Sequence, residues 1–77
     1  MEVKDKVKEI IASILEVNVS EILDSYEIGD VNGWDWIRQL MIISSLEEEF
    51  CISYPEEVLF EMTSVAKMIR ETKALVW

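Results

Sequence analysis

The residues able to do covalent chemistry in this chain are few, and their spacing limits what they can do. Cys51 is the single cysteine and there is no histidine. An intramolecular disulfide, a cysteine-based metal site, zinc chemistry and histidine general catalysis are therefore out of reach. Ser44 and Ser45 are adjacent hydroxyls inside "LMIISSLEEEF" and read as small residues on the flank of a packed helix. Carboxylates are plentiful, but none converges with a nucleophile or a metal-ligand set, so no independent enzyme is expected. One short stretch stands out, "GWDW" at Gly33 to Trp36. Asp35 is a good helix N-cap, because its carboxylate can accept backbone N–H groups two or three residues on. Two tryptophans flank it, where small or polar side chains are usual.

Whatever positions these residues must be small. Seventy-seven residues make one domain, and a chain of this size buries only roughly 60–65% of its unfolded surface. With 51% hydrophobic residues, two glycines and one proline, it is globular. Sixteen acidic and seven basic side chains give a net charge of −9, which repels phosphate backbones and anionic lipid surfaces. No nucleic acid or membrane partner is expected. A protein with a basic patch is, since charge would steer the encounter. No apolar run approaches the roughly 18 residues of a membrane span, and "MEVKDKVKEI" has no signal-peptide core. The expectation is a cytoplasmic monomer.

Helical periodicity organises the chain. Val3, Val7, Ile10, Ile11, Ile14 and Leu15 predict a first helix over about 3–17. "NVSEILDSYEIGDVNG" follows as a long loop, pinned to the core by Ile22, Leu23, Tyr26, Ile28 and Val31. Ser20 is placed as the cap of a short turn, Glu21 to Asp24. A second helix starts at Asp35, with Ile37, Leu40, Ile43, Leu46 and Phe50 as a buried stripe and Glu47, Glu48 and Glu49 mostly solvated. Pro55 opens a short third helix through about Glu61, as the first helical residue. Thr63 caps a last helix that buries Val65, Met68, Ile69 and Leu75. The expected fold is all-α: a four-helix bundle of three main helices and one short one, residues 1–77.

This order of features resembles the acyl carrier protein family. That family's second helix typically opens with Asp-Ser-Leu and runs through an apolar stripe into "EEEFGI". Asp35, Ile37, Leu40, Ile43, Leu46, "LEEEF" and Ile52 fall in that register without a gap. "YPEEVLFEMTSVAKMI" is similar to the family's short third helix and threonine-capped fourth. The "GWD" before the motif occurs in one of its branches. The likeness covers essentially the whole chain and is most specific from Gly33 to Ile69.

The resemblance implies one residue above all: a serine directly after the Asp, which takes 4′-phosphopantetheine. The phosphodiester's charge would there meet the helix dipole. In this sequence the position is Trp36, and an indole has an N–H donor but no hydroxyl to phosphorylate. No cofactor is therefore expected on this chain. Ser45 or Cys51 would be the unconventional sites if the chain were loaded elsewhere. Cys51 otherwise reads as a small semi-buried hydrophobe. It stands where the family has a helix-ending glycine, so a different local conformation is expected there.

The resemblance further implies a docking face of acidic side chains on the second helix. Two positions that are often acidic in the family read Arg38 and Met41 here, whereas Glu47, Glu48, Glu49, Glu56, Glu57 and Glu61 remain. Trp34 is expected to fill the core beside Tyr26 and Ile28. For Trp36 two arrangements stand: an exposed apolar patch with Met41, which would mark a partner site, or an indole turned inward between the second and third helices. The expected function is that of a carrier-like domain of an acyl-transfer or biosynthetic system, of the fatty acid or polyketide kind. It would dock through Asp35, Trp36, Arg38, Met41 and the acidic residues onto enzymes with basic and apolar surfaces. The alternatives are a carrier loaded at an unconventional residue and an unrelated small acidic adaptor or inhibitor.

Overall fold

The computed structural model describes residues 2–76. Four α-helices follow one another: α1 Val3–Leu15, α2 Trp36–Phe50, α3 Glu56–Leu59 and α4 Val65–Val76. α1 packs against both α2 and α4. Among the described residues there is no strand beyond one isolated bridge between Glu27 and Ser64. The core is a single cluster: Val7, Ile11 and Leu15 from α1, Ile42, Ile43 and Leu46 from α2, Val65 and Met68 from α4, with Ile22, Trp34 and Met62 between them.

The long loop between α1 and α2 is stitched down by backbone bonds. The Val65 and Ala66 N–H groups, at the start of α4, donate to the carbonyls of Tyr26 and Asp24 at 2.9 and 3.1 Å. The Lys67 N–H donates to Ser64 Oγ at 3.2 Å. Three N–H groups that a helix start leaves unpaired are thereby satisfied. The cap of α4 is Ser64, one residue after the expected Thr63. Thr63 instead accepts from the Ile28 N–H through its carbonyl, at 2.8 Å. Leu75 is exposed, and Thr72 takes the buried place in its stead. The Tyr54 hydroxyl meets Thr72 Oγ1 at 2.6 Å, and burial pushes the phenol's pKa above its ordinary value.

Other expectations shift by a turn or less. α1 stops at Leu15 because Glu16 turns left-handed, with φ of 59°, while Val17 N–H closes back onto the Ala12 carbonyl at 3.0 Å. The short turn in the loop is a 3₁₀ turn over Val19–Glu21, capped by Asn18 rather than by Ser20. Its carboxylate at Glu21 accepts from the Asn18 N–H at 3.1 Å. Leu23 is exposed, not pinned. α3 ends at Leu59, and Pro55 is its N-cap rather than its first residue.

The register of α2 is the largest correction. Its buried residues are Gln39, Ile42, Ile43 and Leu46, while Ile37 and Leu40 face outward. A stripe stepping strictly by three falls behind the helix by about 60° per step. From Ile37 to Leu46 that drift amounts to about half a turn, so the two ends cannot share a face. The true core face follows i, i+3, i+4, i+7 and begins on a glutamine.

Candidate functional site: the start of α2

The start of α2 is set by a glycine, a tryptophan and an aspartate in succession. Gly33 has φ of 89°, in the left-handed region where a side chain would be strained. The reversal turns Trp34 into the core, 2% exposed, where its indole N–H donates to Gln39 Oε1 at 2.8 Å. Asp35 then leaves in an extended conformation, and its Oδ1 accepts from the Arg38 N–H at 2.9 Å, as an N-cap should. Trp36 is the first residue of the helix itself.

Trp36 points outward. It is 52% exposed, beside Ile37 at 71%, Leu40 at 60% and Met41 at 48%. These four sit at i, i+1, i+4 and i+5, which places them on one side of the helix, opposite the core face. Inward packing of Trp36 is excluded by that exposure. A contiguous apolar face is unlike scattered apolar side chains, which need no explanation. Phe60, just past α3, is exposed as well. It lies two residues before Met62, whose carbonyl accepts from Gln39 Nε2 on α2.

The charged residues expected here divide in two. Arg38 turns away from the patch. Its guanidinium donates to the Ile14 carbonyl and lies 4.0 Å from Glu16, so it closes the C-terminal end of α1. Glu47 is partly buried, and its carboxylate accepts from the Tyr54 N–H at 2.9 Å. Asp35, Glu48, Glu56 and Glu57 are exposed. With Arg38 withdrawn to the end of α1, these four carboxylates are left as exposed charge. Ile37 and Leu40 belong to this surface although their apolar character alone assigned them to the core. The i+3 drift was the signal that separates them.

The other nucleophiles lie elsewhere. Ser44 is exposed and Ser45 half-buried, two turns into α2. Cys51 is exposed rather than semi-buried. It adopts φ of 55° at the end of α2, so the cysteine itself takes the left-handed conformation suited to glycine. It follows the fifteen-residue helix that Trp36 opens, which places it about 22 Å from Trp36 along the axis. No group of acidic, cysteine and histidine side chains able to hold a metal occurs among the described residues. None of their helices is long and apolar enough to cross a membrane.

No family profile matches the chain. It is similar to the acyl carrier protein of Clostridium acetobutylicum, 38% identical over 71 residues, which cover 91% of each chain. An all-helical fold with an Asp-capped second helix, together with likeness along nearly the whole length of both chains, establishes that this chain belongs to the acyl carrier protein family.

Proposed function

We propose that this chain serves an acyl-transfer system of the fatty acid or polyketide kind by docking onto its enzymes rather than by carrying a phosphopantetheine arm. The observation that carries the reading is Trp36, an exposed indole at the first position of α2, immediately after the Asp35 cap. An indole cannot form the phosphodiester that a serine forms. The same position can anchor a partner, because large aromatic side chains dominate the energy of many interfaces. Trp36, Ile37, Leu40 and Met41 supply the apolar centre. Asp35, Glu48, Glu56 and Glu57 supply an anionic rim, which fits an enzyme surface with an apolar pocket and basic surroundings.

The test is covalent loading. The protein is incubated with coenzyme A and a broad-specificity phosphopantetheinyl transferase, and its intact mass is measured. The expected result is no addition to the natural chain and addition to Trp36→Ser. Loading of the natural chain overturns the reading, and peptide mapping would then distinguish Ser45 from Cys51. Docking is read by pull-down from a biosynthetic extract. Trp36→Ala is expected to lose the partners that the natural chain retains; undiminished capture of all of them removes Trp36 as anchor.

A further inference from the structure

α3 is the least anchored element of the fold. None of its four residues is fully buried, and Val58 and Leu59 are only partly covered by the core. A single helical turn has no stability of its own. Its hydrogen bonds are local: Val58 and Leu59 N–H donate to the Pro55 carbonyl, and Glu61 and Met62 N–H to the Val58 carbonyl. Besides the partial packing of Val58 and Leu59, two features hold this segment to the rest of the molecule. One is the buried side chain of Met62. The other is the carboxamide of Gln39, completely enclosed on the core face of α2. Its Oε1 accepts from the Trp34 indole, and its Nε2 donates to the Met62 carbonyl.

A buried glutamine on a helix face otherwise made of isoleucine and leucine is costly unless its amide is paired. Here both ends are paired, and they join three segments: the loop before α2, α2 itself and the turn after α3. We propose that Gln39 is a positioning residue, whose amide latches the α3 segment onto α2 and so seats Phe60 beside the apolar face of Trp36, Ile37, Leu40 and Met41. The latch stands on its own geometry; its consequence for docking rests on the function proposed above. When α3 lifts, water replaces Gln39 and Met62 as partners for each other. Opening of this segment therefore requires less free energy than unfolding of the α1–α2–α4 core.

Native-state hydrogen exchange, followed by NMR on the full chain, tests the latch without any partner. In the natural protein, the Glu61 and Met62 amides are expected to exchange faster than the buried amides of α1 and to depend little on low denaturant. Gln39→Met replaces the amide with an apolar chain of similar length. It should speed α3 exchange about tenfold relative to α1. Trp34→Phe removes the indole donor and spares the bond to Met62, so the ratio of α3 to α1 rates should stay within about twofold. An unchanged ratio in Gln39→Met overturns the latch. So does a natural protein whose α3 amides exchange only with global unfolding, a result that holds even if the variant does not fold. Pull-down with Gln39→Met separates the two proposals. Retained partners alongside faster α3 exchange would keep the latch and detach it from docking.

Discussion

Trp34 and Trp36 are two residues apart and do opposite work. The Trp34 indole is buried and donates to Gln39, whereas the Trp36 indole faces solvent. Trp34→Phe keeps an aromatic ring but leaves Gln39 Oε1 without its partner. A loss of about 1–3 kcal/mol in chemical denaturation is expected. Trp36→Ala removes a side chain that supports little of the core, so stability should change by less than about 0.5 kcal/mol. A Trp36→Ala chain destabilised as much as Trp34→Phe would show that the exposed indole is structural after all. Cys51 presents a different residue-scale case. A non-glycine residue in the left-handed region is strained by about 1–2 kcal/mol. Part of that gain is offset in Cys51→Gly by the freer unfolded chain. A net stabilisation of about 0.5–1 kcal/mol is expected, read from the denaturant midpoint at constant slope.

At the scale of elements, the loop from residue 16 to 35 is held near its middle, to α4 on one side and α1 on the other. Its carbonyls at Asp24 and Tyr26 receive the first N–H groups of α4. The Asp24 carboxylate meets Lys4 and Lys8, one turn apart on α1. The hydrogen bond from Lys8, assisted by Lys4, holds this carboxyl below its ordinary pKa despite some desolvation. A depressed carboxylate contributes stability above its unfolded value, and that stability is lost as pH falls through the folded value. The difference in melting temperature between the natural chain and Asp24→Asn should therefore be largest near neutrality and vanish on acidification below about pH 4. A difference that persists at pH 2 would assign the effect to packing. The pair is exposed, so the difference should be small even at pH 7.

The same scale shows what the residues made legible. Four helices, the Asp35 cap and the burial of Trp34 follow from residue types with strong local preferences. The core face of α2 was hidden because it opens on Gln39, a polar residue whose burial depends on one partner in the preceding turn and another 23 residues further along the chain. Ser64 displaced Thr63 as cap because backbone carbonyls of the loop claim the neighbouring N–H groups, and such bonds leave no trace in side-chain pattern. The left-handed end of α2 was missed for a related reason: nothing in a cysteine announces that conformation. The exposed patch was legible in part. An exposed Trp36 beside Met41 was one of two arrangements the residues left open, and Ile37 and Leu40 required the observed register.

At the scale of the molecule, the net charge of −9 sets two opposing electrostatic effects. Attraction comes from a few exposed ion pairs, such as Lys6 with Glu49 at 3.6 Å and the lysines around Asp24. Such pairs contribute about 0–1 kcal/mol each and are weakened by salt. Repulsion comes from the unpaired carboxylates, including Glu48, Glu56 and Glu57 on exposed surface. The screening length is about 10 Å at 0.1 M ionic strength, so charges separated by more than that are screened first. Salt therefore removes the long-range repulsion more completely than the short-range attraction. The melting temperature should rise as sodium chloride increases from about 0.01 to 0.5 M. A fall would mean that the ion pairs on α1 outweigh the surplus of carboxylates. Docking should respond in the opposite direction. Association steered by the anionic rim slows with added salt, while dissociation from the apolar centre changes little. A captured enzyme whose on-rate ignores ionic strength would be binding through Trp36 and its apolar neighbours alone.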